Sequence, residues 1–403
     1  MTSIALFEPG KKKNHIAQLW DAFTREFQVS KIDSYRLPSN YTKTPDEQSL
    51  LAAHLVSRLR SEQLKRRYGY GQSLWGSIRA HQEINKISRG TKVYAKQIHH
   101  LRAELAATGA NIASSWCPLK HPRLLFRLAA QLNCTPLLHF EDAPFPGFFV
   151  ADTKGINMGN SLSDDPHDYQ QFGAHGDSAI EALKSSIQER APISKSIASR
   201  MGIRSSSTIP ENFIYCPLQV DEDTQLINYG GWCDSVLKFI DSIYTASRFL
   251  PNDWSVVIRE HPSSKRSFTK KLLKLADDKF VLDNTGSSLE RVKRCRAIAT
   301  INSSVGLHGY LFDKSVITLG RAMWRFGHMA IEAKCPVHLA ELFASPDSWS
   351  HSIQERKAFL DYLTKFELMP LPKLEGGTAR FCPKAKGILD RKVAEAANLI
   401  PEN

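Results

Sequence analysis

The 403-residue chain reads as an α/β protein of two domains, the second built on a parallel, Rossmann-type sheet. Three observations predict this. The length exceeds what a single core usually organises. From Phe213 to Leu319, β-rich runs alternate with helical stretches at the spacing of βαβ units. Three polar knots each follow a β-rich run: Gln219-Val220-Asp221-Glu222-Asp223-Thr224-Gln225, Arg259-Glu260-His261-Pro262 and Asn302-Ser303-Ser304-Val305-Gly306. In an open parallel sheet the carboxyl ends of the strands lie along one crevice, so successive knots there describe the wall of a ligand site. Acids, a cation beside a histidine, and small hydroxyls suit a phosphorylated or otherwise anionic ligand.

Each element follows from local pattern. In the first half, 4–7 reads as a strand, 16–27 as an amphipathic helix and 49–67 as a longer helix. A glycine-punctuated loop, Tyr68-Gly69-Tyr70-Gly71-Gln72-Ser73, precedes further helical runs at 96–107 and 122–132. A short strand over 135–140 runs into Glu141-Asp142, and an acidic pair at a strand's carboxyl end is a better catalytic candidate than one on a helix face. Pro144, Pro146, Pro166 and Pro192 weaken the pattern beyond it. A helix from Ala179 ends or kinks near Arg190, before Pro192, and the inter-domain connection falls around 205–212. The domains are therefore expected over 1–205 and 206–403, with closing helices free to cross back. In the second half, strands are expected over 213–219, 254–259, 280–282, 297–301 and 316–319. Helices are expected over 234–249, 265–276, 288–295 and 305–312, and a last one over 384–400.

Composition narrows the classes of function. Hydrophobic residues make up 42% of the chain, and no low-complexity tract argues for disorder. The net charge is +12, and residues 51–130 hold fourteen Lys and Arg against Glu62, Glu83 and Glu104, leaving about +1 for the remainder. Such a block suits an anionic partner or a solvated helical face. No nucleic-acid module accompanies it, so nucleic acid is not expected as a partner. The seven cysteines are odd in number and widely spaced with no Cys-x-x-Cys pair, which suits buried reduced thiols. The N-terminal apolar run is too short for a secretory signal, and no stretch approaches a membrane span, so the expected location is the cytoplasm.

The knots carry the chemistry. At 300–306 an apolar strand runs into Asn302-Ser303-Ser304 and a helix begins at once, which offers N–H groups and hydroxyls to an anion; a plain helix cap uses the same residues. Pro262 keeps His261 extended at its strand end, and a histidine with Arg259 can hold a phosphate oxygen. Asp221, Glu222 and Asp223 offer a nucleophile or base, and composition does not choose among them. No metal-ligand spacing, P-loop or Ser-His-Asp elbow appears, so neither metal nor cofactor is expected.

These residues resemble a known family. Residues 213–225, with the pattern Leu-Gln-x-x-x-Asp-x-Gln, then 257–262 with its basic residue and His-Pro, then Thr-Ile-Asn-Ser-Ser-x-Gly at 300–306, look like successive motifs of the bacterial capsule-polysaccharide biosynthesis proteins. These include the β-Kdo transferases, Kdo being 3-deoxy-D-manno-oct-2-ulosonic acid. His139-Phe140-Glu141-Asp142 and residues 155–169 extend the likeness, which covers roughly 135–330; the first 130 residues carry no such signal. The resemblance implies a GT-B-like fold, two Rossmann-type domains facing a central cleft. It implies CMP-β-Kdo as donor and transfer with retention through two displacements. By position, Asp223 matches the nucleophile and Glu141 the acid/base that activates the acceptor hydroxyl. His261, with Arg259 in place of a usual lysine, Ser303 and Ser304 match the grip on the CMP phosphate, with Gln219, Asn302 and Gly306 in the same motifs. The implied acceptor is an anionic glycan or lipid-linked saccharide in capsule or lipopolysaccharide assembly, at the inner face of the cytoplasmic membrane, where the 51–130 block suits the surface. Residues 143–147 depart from the family's glycine, aromatic and arginine, and His308 stands where relatives vary. Two other readings fit the residues: a transferase for another CMP-linked ulosonic acid such as sialic acid, and a non-catalytic glycan or lipid-surface module.

Overall fold

The computed structural model describes residues 2–8, 14–32, 34–39, 41–68, 74–173, 176–188, 209–264 and 266–399. The glycine-punctuated loop over 69–73, the kink at Pro192 and the start of the expected connection lie outside the described residues. The chain forms two compact units, one of Met1–Ala143, Gly147–Ser161 and Lys365–Asn403, the other of Pro144–Pro146 and Leu162–Thr364.

In the first unit, β1 (Ser3–Phe7), α1 (Asn14–Glu26), β2 (Gln28–Ile32), α2 (Glu47–Tyr68), α3 (Leu74–Thr108), β3 (Ile112–Trp116), α4 (Arg123–Leu132), β4 (Leu137–Asp142) and β5 (Phe148–Asp152) follow in order. The strands lie in the order β2-β1-β3-β4-β5, parallel from β2 to β4 with β5 antiparallel on β4. Side chains alternate across a strand, so Ile4 and Leu6 face a core with Leu19, Trp20 and Phe23 of α1. Ala5 and Phe7 face the opposite core with Val56, Ile98, Leu101 and Phe126 of α2, α3 and α4. Burial on both faces is what a parallel sheet requires. The expected helix over 96–107 is the last third of the 35-residue α3.

The second unit runs α5 (Gly176–Gln188), β6 (Asn212–Pro217), α6 (Thr224–Tyr229), α7 (Val236–Ser247), β7 (Trp254–Arg259), α8 (Thr269–Leu275), β8 (Phe280–Leu282), α9 (Ser288–Arg294), β9 (Ala297–Thr300), α10 (Val305–Leu311), β10 (Ser315–Thr318), β11 (Ile331–Glu332), α11 (Pro336–Ala344) and α12 (Ile353–Phe366). Its six strands are all parallel in the order β11-β10-β9-β6-β7-β8. Counted from β6, this is the 3-2-1-4-5-6 order of a dinucleotide-binding fold, and the direction of winding reverses between β6 and β9. The chain then returns to the first unit with β12 (Met369–Pro370), which pairs with β5, a small hairpin of β13 (Lys373–Glu375) and β14 (Thr378–Arg380), and α13 (Pro383–Ala397). Ile388 and Leu389 of α13 join the Trp20 core.

The units divide near 161 rather than after 205. Residues 162–188 belong to the second unit because Tyr169 anchors them there, its ring meeting those of Phe326, Phe359 and Tyr362 at centroid distances of 5.4, 5.2 and 5.0 Å. All seven cysteines are free thiols, and Cys134, Cys335 and Cys382 are exposed rather than buried as expected. Among the described residues no helix is long and apolar enough to cross a membrane.

Candidate active site

Open α/β sheets bind ligands outside the carboxyl ends of their strands, where the winding reverses. In the second unit that point lies between β6 and β9, and the first and third knots meet there. The buried Gln219, just after β6, donates from Nε2 to Asn302 Oδ1 at 2.8 Å and accepts the Asn302 N–H at 3.1 Å. Asn302 Nδ2 donates to the Gln225 carbonyl at 3.2 Å, and Gln225 Nε2 donates to the Asn302 carbonyl. Leu-Gln-x-x-x-Asp-x-Gln and Ile-Asn-Ser-Ser are thus one hydrogen-bonded lock. Gln219 and Asn302 give their amides to each other and to Gln225, so they position the crevice rather than present to a ligand.

The lock separates the three acids of the first knot. Asp221 is buried, accepting the Val236 N–H at 3.1 Å through Oδ1 and pairing Oδ2 with Arg266 at 3.1 Å. Asp223 is partly exposed and caps α6, its Oδ1 accepting the Gln225 N–H at 3.0 Å. Its Oδ2 takes no hydrogen bond among the described residues. Of the two, Asp223 is the one left with a free oxygen at the switch point.

The second knot is held from below. Arg259 is buried and donates to the Thr285 carbonyl and, at 2.8 Å, to the Gly286 carbonyl, so it fastens the loop after β8 and is not turned to an anion. Glu260, also buried, accepts from the Phe268 N–H, Thr269 Oγ1 and Asn284 Nδ2 at 2.5, 2.5 and 2.9 Å. Asn284 returns the contact by accepting the Glu260 N–H at 3.0 Å. Arg259 and Glu260 therefore form the platform on which His261 stands. His261 Nδ1 accepts the Ser263 N–H at 3.1 Å, which puts the proton of the neutral ring on Nε2.

At the third knot the Ser303, Val305 and Gly306 N–H groups are satisfied inside the turn, by Thr300 Oγ1, Ser303 Oγ and the Ser303 carbonyl. The expected row of free N–H groups is therefore reduced, and the two serine hydroxyls are what the turn offers. Ser304 makes no cap hydrogen bond with its side chain. Gly306 serves packing: a Cβ there would lie 2.1 Å from the Trp324 ring. His308, given no role from sequence, lies near the Pro144 carbonyl at 3.1 Å from Nε2 and against the Phe145 ring at 5.7 Å. The departing loop residues 144–146 thus belong to the second unit.

In the first unit Glu141 stands at the carboxyl end of β4, as expected, next to the end of β3. There Cys117, in the left-handed conformation at φ 46°, brings Sγ to 2.9 and 3.0 Å from the two Glu141 carboxylate oxygens. The Asp142 N–H donates to Glu141 Oε1 at 3.0 Å. Burial raises the Glu141 pKa above its ordinary value, while the thiol, the Asp142 N–H and the charge of Lys120 oppose that rise. Burial, and then the Glu141 charge, push the Cys117 thiol well up. His15, at the start of α1, faces Asp142 with Nε2 at 3.1 Å from Oδ1. Sequence reasoning missed Cys117 and His15, since neither sits in a motif and only the adjacency of β1, β3 and β4 brings them to Glu141 and Asp142.

Comparison with known proteins follows the same residues. Residues 145–334 match the family described as capsule polysaccharide biosynthesis protein, a span that includes Asp223, His261, Ser303 and Ser304 and stops just short of Glu141. Protein FixF of Sinorhizobium fredii is 27% identical over 232 residues, 57% of this chain and 53% of that protein. Capsule polysaccharide export protein KpsS of Escherichia coli is 25% identical over 129 residues, 30% of this chain and 33% of that protein. The chain thus aligns with about half of FixF and a third of KpsS. Among solved structures, the Thermosulfurimonas dismutans KpsC β-Kdo 2,7 transferase shares the fold at a TM-score of 0.51 and 12% identity, covering 98% of this chain and 99% of that one. That likeness bears out the GT-B-like α/β class. With its three knots inside the matched span, the chain is similar over residues 145–334 to the family described as capsule polysaccharide biosynthesis protein.

Proposed function

We propose that the protein is a glycosyltransferase that moves Kdo from CMP-β-Kdo to an anionic glycan or lipid-linked saccharide in capsule or lipopolysaccharide assembly, with retention of configuration. The observation that carries this reading is Asp223, partly exposed beside the β6–β9 switch point, with Oδ1 fixed by its helix cap and Oδ2 left over. A carboxylate held by one oxygen is a preorganised nucleophile with the other. In the first displacement Oδ2 bonds to the Kdo anomeric carbon as the bond to the CMP phosphate oxygen breaks. His261, donating from Nε2, and the Ser303 and Ser304 hydroxyls would stabilise the negative charge on the departing phosphate. In the second displacement Glu141 takes the proton of the acceptor hydroxyl, whose oxygen bonds to the anomeric carbon and releases Asp223. Every step uses residues of the chain alone.

Burial raises the Glu141 pKa, which makes its carboxylate a stronger base toward the acceptor hydroxyl. The reading also has the protein work at the inner membrane face, with the basic helices α2 and α3 toward the lipid. The test is CMP release from CMP-Kdo with an acceptor present. Asp223→Asn keeps a good helix cap and removes the nucleophile, so a well-folded variant that released CMP at the wild-type rate would overturn the assignment. CMP-sialic acid as an equal donor would favour the other ulosonic acid, and glycan binding without CMP release would favour a non-catalytic module.

A further inference from the structure

We infer that Cys117 is a positioning residue for Glu141, acting through its S–H as the donor that orients the carboxylate and keeps one of its oxygens ready for the acceptor's proton. The inference rests on the reading of Glu141 as the base, and it adds a residue that no motif marks. Sγ lies nearly equidistant from the two carboxylate oxygens, at 2.9 and 3.0 Å. A thiol has one proton, so it serves one oxygen at a time and leaves the other to accept. The contact is built in rather than incidental. Cys117 adopts φ 46°, in the left-handed region that non-glycine residues seldom occupy, and its N–H is bonded to the Phe140 carbonyl at 2.8 Å, one residue before Glu141. The β3–β4 register, with Trp116 beside Phe140, places the two residues side by side at the strand ends. Asp142 N–H holds Oε1 from the other direction at 3.0 Å. Backbone, thiol and carboxylate together fix Glu141 in one orientation. Throughout the reaction Cys117 keeps its proton: no covalent bond forms at sulfur.

The experiment compares Cys117→Ala, Cys117→Ser and Glu141→Gln with wild type in the full chain, reading kcat/KM for CMP-Kdo-dependent transfer against pH. Losing the donor should move the acid limb of the Cys117→Ala profile upward by about one pH unit, the equivalent of one hydrogen bond to a charged group. Cys117→Ser, which restores a donor, should move the limb back toward wild type. A folded Cys117→Ala with an unmoved limb overturns the inference, as does a Cys117→Ser that behaves like Cys117→Ala, since that points to packing alone. Glu141→Gln separates the two claims: full activity in that variant sinks the base assignment itself, whatever Cys117 does. A readout independent of activity is alkylation of Cys117 by iodoacetamide, mapped by peptide mass across pH. Glu141→Gln removes the charge that adds to burial in holding the thiol protonated, so the alkylation curve should move to lower pH; an unchanged curve contradicts the coupling.

Discussion

Asp221, Glu222 and Asp223 are adjacent and chemically alike, yet the fold gives them different work. Asp221 spends both oxygens, on the Val236 N–H and on Arg266, and Asp223 spends one. Replacing Asp221 with Ala would remove the ion-pair partner of the half-buried Arg266 and the acceptor of the buried Val236 N–H, a loss of about 1–3 kcal/mol. Urea unfolding should show that loss, whereas Asp223→Asn should unfold near the wild-type midpoint. Glu141 provides a pH test. Its pKa is raised, chiefly by burial, and a base must be ionised to act. The acid limb of kcat/KM should therefore lie above the ordinary carboxylate range, near pH 4.3, and a limb at or below that value would contradict its role. At this scale the sequence marked the right neighbourhoods but not the division of labour. Resemblance singled out Asp223 and Glu141; that Arg259 faces backbone carbonyls, that Gln219 and Asn302 bind each other, and that Cys117 meets Glu141 are tertiary facts with no local pattern.

At the scale of elements, strands and helices with strong periodicity were legible and those without it were not. The β7 and β8 runs, Trp-Ser-Val-Val-Ile-Arg and Phe-Val-Leu, are apolar and β-branched and match their expected bounds. β3, Ile-Ala-Ser-Ser-Trp, carries two serines in a central strand, which is tolerable because Ser114 Oγ donates to the Leu138 carbonyl at 2.9 Å. β2 is a polar edge strand, and α6 is a single short segment beginning at its Asp223 cap. Helix α10 provides the sharpest test of packing. Gly306 lets the Trp324 ring cover the helix, and a Cβ would need 2.1 Å where van der Waals contact needs more than 3 Å. Gly306→Ala should cost about 1–3 kcal/mol through overpacking and lower the thermal midpoint. A variant as stable as wild type would show that the ring can move aside.

For the whole molecule, the units divide near 161 and not after 205, and the reason is tertiary. Composition weakens over 143–210, but residues 162–188 are fixed to the second unit by aromatic contacts that composition does not reveal. The first unit in turn depends on the last residues of the chain. Lys392 of α13 is buried against Glu367 at 3.0 Å. Glu367→Ala should destabilise by about 1–3 kcal/mol, because it removes the hydrogen-bonded partner of a buried ammonium and leaves it Glu395 at 3.9 Å; an unchanged urea midpoint would show that α13 contributes little to its unit. The basic residues of α2 and α3 bear on the membrane reading. The chain should sediment with vesicles containing phosphatidylglycerol and be released by salt, and sedimentation equal to that with neutral vesicles would contradict it. A bond between Asp223 and the sugar is visible in the intact mass of the protein after incubation with CMP-Kdo and no acceptor. The expected result is a gain of one Kdo residue, mapped to the peptide carrying Asp223 and absent from Asp223→Asn. An adduct mapped to another residue, or CMP-Kdo turnover with Asp223→Asn at the wild-type rate, would contradict it.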